Sequence, residues 1–298
     1  MRRILLIYNP HSSNYIRVQK EVIPLISKEK GYLIGKFAIK KAPFEENVMA
    51  LKEVLMDGDI VISAGGDATA AVTANAILES GKDVALSVLP YGNFNDLART
   101  LKGLPPIVKL YALDILVDGV HWRYATCYAT IGMTAEATEI FDRPKIRKAL
   151  KKGHRSSWRS YSHLASWYFK NRHSKIFLPE FALNGQPVVK KASDYIAVNG
   201  RSMSRVMKGG KDFLDPHAFR SKVVKLTSFP RLAKFMATSI FARVPGTTTT
   251  GDTIEFKNPA TVEIQAEGEY CVFKDIKTIC IKKLSRPIKV ICKTNWAK

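Results

Sequence analysis

The chain has 298 residues, 46% apolar and 24% charged, enough for a substantial core and two domains. Its net charge of +21 excludes an acidic surface and calls for an anionic partner: a membrane surface, nucleic acid or a phosphorylated ligand. No apolar run approaches the length of a membrane-spanning helix, and the short run at 4–8 meets Asn9-Pro10 too early for a secretory signal.

Residues 3–8 are a first strand, running into the polar turn 9–14. A helix over 15–28 follows, with Ser12, Ser13 and Asn14 as candidate caps and Arg17 and Lys20 one turn apart on it. A strand at 32–39 and a helix at 43–56 come next, the helix stopped by Asp57-Gly58-Asp59. The apolar runs 60–62 and 84–89 read as buried strands. Each ends in a glycine turn, 63–69 and 89–96, before a helical pattern at 70–79 and 96–102. This alternation through residue 110 predicts an α/β domain with a parallel sheet. Its turns gather at the carboxyl ends of the strands, where open sheets of this class bind ligands.

The turn chemistry is specific. Gly65 and Gly66 let backbone N–H groups approach an anion, and the helix start adds partial positive charge. Asp67 beside a phosphate implies a divalent cation between them. Asn93, Asn95 and Asp96 make the second turn polar, the last two also being candidate helix caps.

After Pro105-Pro106 the pattern changes to close-set strands, at 110–118, 120–128, 176–183, 188–189, 195–198, 254–257, 261–265, 278–282 and 288–292, with one helix at 226–242. The expected domains are 1–110, completed by 285–298, and a β-rich, sandwich-like unit over 111–284. Asp114 interrupts an apolar strand, which is expensive unless the carboxylate is paired or functional. Residues 143–175 hold six lysines, five arginines and no acid. Trp158, Tyr161, Leu164, Ala165 and Tyr168 form an aromatic stripe there beside Lys151, Arg155 and Arg159. That combination suits an anionic membrane interface, or a stripe packed on the second domain. The cysteines, Cys127, Cys271, Cys280 and Cys292, lack metal-ligand spacing and read as reduced thiols of a cytoplasmic protein.

Gly65-Gly66-Asp67-Ala68-Thr69 resembles the GGDGT signature of the diacylglycerol kinase catalytic-domain family, which includes bacterial lipid kinases and sphingosine kinases. Residues 90–99, PYGNFNDLAR, resemble the P-x-G-T-x-N-D-x-A-R block of the lipid kinases, which NAD kinases lack. Asn9-Pro10-His11-Ser12-Ser13 resembles the nucleotide-contacting N-P-x-S-G loop. The resemblance implies phosphoryl transfer from ATP, with Mg²⁺, to a hydroxyl of a membrane lipid such as diacylglycerol. It implies nucleotide contacts from Asn9, Pro10, Ser12, Gly65, Gly66, Thr69, Gly92, Asn93 and Asn95, and a metal network from Asp67, Asp96 and Asp114. Ala266-Glu267-Gly268-Glu269-Tyr270 resembles the family's D-G-E turn, and by that match Glu269 is the expected general base beside Asp67. The family's acidic D-G-x-L-D segment is replaced by the acid-free 219–223, which argues against a second, structural metal site. Where the family has glycine and threonine, this chain has Ala68 and Asn93; a positive φ at 68 would cost alanine roughly 1 kcal/mol. These departures keep open a nucleotide-binding protein without catalysis. Charge alone would suit a nucleic-acid binder, which the motifs disfavour. A peripheral membrane association through 143–175 is expected, and there is room for a homodimer.

Overall fold

The computed structural model describes residues 2–12, 14–142, 166, 168–170, 177–188, 191–226 and 228–292. The first sheet begins with β1 (Arg2–Tyr8), β2 (Tyr32–Ala38), β3 (Ile60–Gly65) and β4 (Ala85–Pro90), all parallel, and is completed by β5 (Ile107–Leu110) and β18 (Ile288–Ile291). Its order is β2-β1-β3-β4-β18-β5. The last strand enters between β4 and β5, parallel to β4 and antiparallel to β5. β1 carries a continuous apolar run, Ile4–Ile7, buried throughout, as expected of a central parallel strand covered on both faces.

The helices that set the site are α1 (Phe44–Val54), α2 (Asp67–Ser80) and α3 (Asp96–Leu101). α2 is buried almost all round, because it lies between the first sheet and the second. Its Asn75 exchanges two hydrogen bonds with the Tyr124 backbone of the second sheet, at 2.8 and 3.0 Å. Gly81, at φ 71°, ends it in the left-handed region.

The second sheet is antiparallel. Its path is β15 (Thr247–Thr249), β14 (Phe219–Val224), β11 (Asp194–Val198), β8 (Tyr128–Gly132), β16 (Gly251–Ala266), β17 (Glu269–Lys283), β6 (Leu113–Val117) and β7 (Val120–Ala125). β9 (Phe181–Leu183) pairs with β16 and with β10 (Gln186–Pro187). β12 (Ser202–Met203) and β13 (Met207–Lys208) form a separate hairpin. This half also carries α4 (Met133–Asp142) and α5 (Phe229–Ala237).

Two expected helices differ from their sequence patterns. The helix expected over 15–28 is broken into Tyr15–Arg17, a π-turn Val18–Val22 and Ile23–Ile26. Pro24 lacks the N–H that would continue the ladder, and the preceding turn widens around that gap. The 226–242 helix starts at Phe229, with Pro230 in its first turn, and its last part is a π-turn, Thr238–Ala242. Ser13 and most of 143–175, including Trp158, Tyr161, Leu164, Ala165, Lys151, Arg155 and Arg159, lie outside the described residues.

Candidate active site

β1, β3 and β4 are neighbours and parallel, so the loops that leave them lie side by side at one sheet edge. Gly66 and Gly92 bring the second and third loops into backbone contact. A Cβ on Gly92 would collide with Gly66 Cα and lie 2.8 Å from Asn95 Oδ1. Asn95 closes the third loop on itself. Its Oδ1 accepts from Gly92 N–H at 2.7 Å, and its Nδ2 donates to Gly92 O at 2.9 Å. Its φ of 57° is a left-handed position, which asparagine tolerates better than most residues. The first loop is tied to the third by Asn14 Nδ2 donating to Tyr91 O, at 3.1 Å.

The nucleotide residues expected from the sequence divide by what they do here. Gly65, Gly66 and Gly92 form the close-packed floor. Asn93 is exposed at the loop tip and makes no hydrogen bond among the described residues. Asn9 shapes its own turn, its Oδ1 accepting from His11 N–H at 2.8 Å and its carbonyl from Ser12 N–H at 3.1 Å. Pro10 and Ser12 are half-buried in that turn. Thr69 is a correction: its side chain is buried against Gly65, beneath the loop surface. Ala68 lies within the first turn of α2, at a negative φ, so alanine carries no backbone strain there. Arg17 is engaged by Glu21 at 3.0 Å and lies over the Tyr91 ring.

The acids form the chemical centre. Asp67 opens α2 and accepts from the backbone N–H groups of Asn95 and Asp96, at 2.9 and 2.6 Å. Burial, and then the Asp96 carboxylate, push its pKa up to about 6. Asp96 is buried and receives the Ser202 hydroxyl at 2.5 Å, the Arg205 N–H at 2.8 Å and the Tyr128 hydroxyl at 3.3 Å. The β12–β13 hairpin of the second half therefore clamps an acid of the first. No Lys or Arg side chain hydrogen-bonds either carboxylate among the described residues.

Two further acids expected at the site, Asp114 and Glu269, lie in strands. Asp114 pairs with His121 Nδ1 at 2.7 Å and Lys282 Nζ at 3.7 Å. It lies opposite Tyr124, whose backbone bonds Asn75 of α2. It is thus a strand acid already paired with a histidine and a lysine. Glu269 opens β17 opposite Ala266, half-buried. The acid that reaches the site is Glu267, the first residue of the β16–β17 turn. Glu267 and Gly268 have φ of 55° and 89°, the signature of a two-residue type I′ turn. Such a turn normally points to water, yet Glu267 is 4% exposed. Thr126 Oγ1 donates to its two oxygens at 2.7 and 2.8 Å, and Cys127 N–H donates to Oε1. Burial, with a further push from Asp67, raises its pKa to about 7, against those hydrogen bonds. Tyr128 lies among all three acids, and burial with Asp96, Asp67 and Glu267 holds its hydroxyl protonated well above the usual range.

A carboxyl whose pKa is raised on folding binds more protons folded than unfolded. For Glu267 this contributes stability that is complete below about pH 4.5 and lost as pH rises through about 7. Thermal unfolding in EDTA should therefore show Tm falling across that window, with a shallower fall in Glu267→Gln. Equal slopes would place the titration elsewhere.

No three His, Cys, Asp or Glu side chains stand close enough to share a metal among the described residues. Asp67 and Asp96 still suit a divalent cation, because they are adjacent acids met only by neutral donors. The acid-free 219–223 lies in β14, paired on both edges.

Residues 3–127 match the family model of the diacylglycerol kinase catalytic domain. Among curated relatives, the diacylglycerol kinase of Staphylococcus epidermidis (strain RP62A) is 36% identical over 124 residues, 40% of this chain and 37% of that one. That of Bacillus subtilis is 33% identical over 122 residues, 40% of this chain and 39% of that one. The chain thus aligns with under two fifths of the length of these relatives. The fold is similar over nearly everything to the crystal structure of a diacylglycerol kinase from Bacillus anthracis, with TM-score 0.66, 18% identity, and 97% of this chain and 96% of that one covered.

Proposed function

We propose that this chain, whose residues 3–127 match the family model of the diacylglycerol kinase catalytic domain, is a lipid kinase that transfers the γ-phosphoryl group of ATP to a lipid hydroxyl. The observation that carries this is the buried Glu267 of the β16–β17 turn, whose pKa is raised to about 7 by burial and, further, by Asp67 at the start of α2. One acid stands at a phosphate-binding edge and the other is poised to accept a proton.

The loops after β3 and β4 would receive the phosphates, with the first N–H groups of α2 open because no side chain caps that helix. Asn93 would reach the nucleotide from the loop tip. Asp67 and Asp96 would hold Mg²⁺, which when bound supplies charge neutralisation on the phosphates. Glu267 would take the proton of the acceptor hydroxyl, and its pKa of about 7 suits a base working near neutrality. Thr126 and Cys127 orient that carboxylate, and Tyr128 excludes water from the space between the acids. The rest of catalysis is positioning. No helix among the described residues is long and apolar enough to cross a membrane. The substrate would therefore be met at a bilayer surface, whose anionic lipids suit the net charge of +21.

The test is phosphoryl transfer from labelled ATP with Mg²⁺ to diacylglycerol, phosphatidylglycerol and a sphingoid base in mixed micelles. Transfer to diacylglycerol is expected, falling at least about 100-fold in Asp67→Asn. Binding of ATP with no transfer to any of the three would refute the proposal.

A further inference from the structure

The surface around α5 exposes apolar side chains where the catalytic account has no use for them. Phe229 is 54% exposed and Phe241 81%. Phe229, Ala233, Ala237 and Phe241 recur every four residues along α5 and its π-turn, and all four are exposed. The opposite side of the same helix, with Phe235 and Ser239, is buried. The exposed phenylalanines among the described residues are Phe169, Phe177, Phe229 and Phe241. Phe169 stacks on Phe229 at 5.7 Å, and Lys191 and Lys225 stand over Phe177.

Charge on this stretch has one sign. From Pro216 to Gly251 the chain has six Lys and Arg residues and no acid. Arg231 and Lys234 are exposed on α5 itself, and Arg243 follows the π-turn. Beside them opens a cavity of about 610 Å³ whose lining includes Arg201, Lys208, Lys211 and Arg243, with Asp212 and Asp215. The face is fixed to the site. Val244 N–H donates to Lys208 O at 2.8 Å, and the hairpin carrying Lys208 is the one that clamps Asp96.

We infer that the face formed by Phe229, Phe241, Arg231, Lys234 and Arg243 docks on an anionic lipid bilayer. Two rings at the ends of an otherwise small-residue stripe would enter the headgroup–acyl boundary, and the cations flanking them would meet lipid phosphates. Only the two ends of the stripe carry rings on which a base could stack, and the alanines between them make a continuous apolar strip for acyl chains, so the stripe with its cations favours lipid over nucleic acid. The choice of a lipid surface rests on the lipid-kinase reading. The docking itself is read without turnover, and the reaction is read separately on a water-soluble, short-chain diacylglycerol.

The experiment is co-sedimentation of the full chain with phosphatidylglycerol–phosphatidylcholine vesicles. The variants are Phe229→Ser/Phe241→Ser and Arg231→Gln/Lys234→Gln, with Val120→Ser as an exposed control on β7. Circular dichroism checks their folding, and light scattering their oligomeric state. The phenylalanine pair should weaken binding roughly tenfold or more. The cationic pair should weaken it severalfold, more so at low salt, and Val120→Ser should bind like the parent. All should retain activity on the short-chain substrate. Parent-like vesicle binding by the phenylalanine pair overturns the inference. So does loss of a dimer in that variant, which would make the face a contact between copies. Loss of binding to RNA or DNA in place of vesicles overturns it as well. Inactivity of every form on the short-chain substrate, with docking intact, would count against the kinase reading alone.

Discussion

Replacing Glu267 by Gln is expected to lower kcat for lipid phosphorylation roughly 100- to 10,000-fold, the range associated with a positioned general base. Glu269→Gln should stay within about threefold of the parent, because Glu269 opens β17 half-buried. Glutamine keeps the shape and can still accept the Thr126 and Cys127 hydrogen bonds, so folding and the KM for ATP should change little. The parent's kcat should rise with pH and level off above about 7, since a base acts only when deprotonated. Steady-state kinetics on both variants decides the matter: a dead Glu269 variant beside an active Glu267 variant would reverse the assignment. The left-handed φ of 55° at Glu267 costs roughly 1 kcal/mol and is the one that the type I′ turn requires.

Gly92→Ala should both destabilise the fold and empty the phosphate edge. The added methyl falls onto Gly66 Cα and crowds Asn95 Oδ1, which closes the loop. Backbone faces backbone here, so no flexible side chain can yield. Overpacking of this kind costs roughly 1–3 kcal/mol, seen as a Tm lowered by several degrees. The loops must part, and ATP affinity should fall at least about tenfold. Gly251→Ala is the control, since its Cβ would meet only ordinary contacts near 3.5 Å. Calorimetric ATP titration of both checks this, and parent-like affinity in Gly92→Ala would show that the contact of the two loops is dispensable.

The first half was legible because its signals are local. Apolar runs of strand length, each closed by a glycine turn and a helical pattern, specify parallel units whatever the rest of the chain does. The same locality hid Glu267. Glu267 and Glu269 flank one glycine, and only the turn's φ values and the arrival of Thr126, 141 residues away, decide which carboxylate turns inward. Asp114 misled for a related reason. An acid in an apolar strand demands a partner, and His121 across the β6–β7 hairpin supplies one. Ser202, Arg205 and Tyr128 carry no motif at all; they matter because the second half closes on Asp96. Pro24 was visible, and its widening of the helix before it follows from the missing N–H, although periodicity alone runs straight through it.

The insertion of Ile288–Ile291 between β4 and β5 bears on how the molecule comes into being. Until the ribosome has released that segment, the edge of β4 is an open row of backbone donors and acceptors, and β5 has no neighbour in its sheet. The nascent chain must therefore carry a half-built first sheet through synthesis of the whole second sheet. Shortening the chain ahead of residue 288 would leave an adhesive edge rather than a smaller working module.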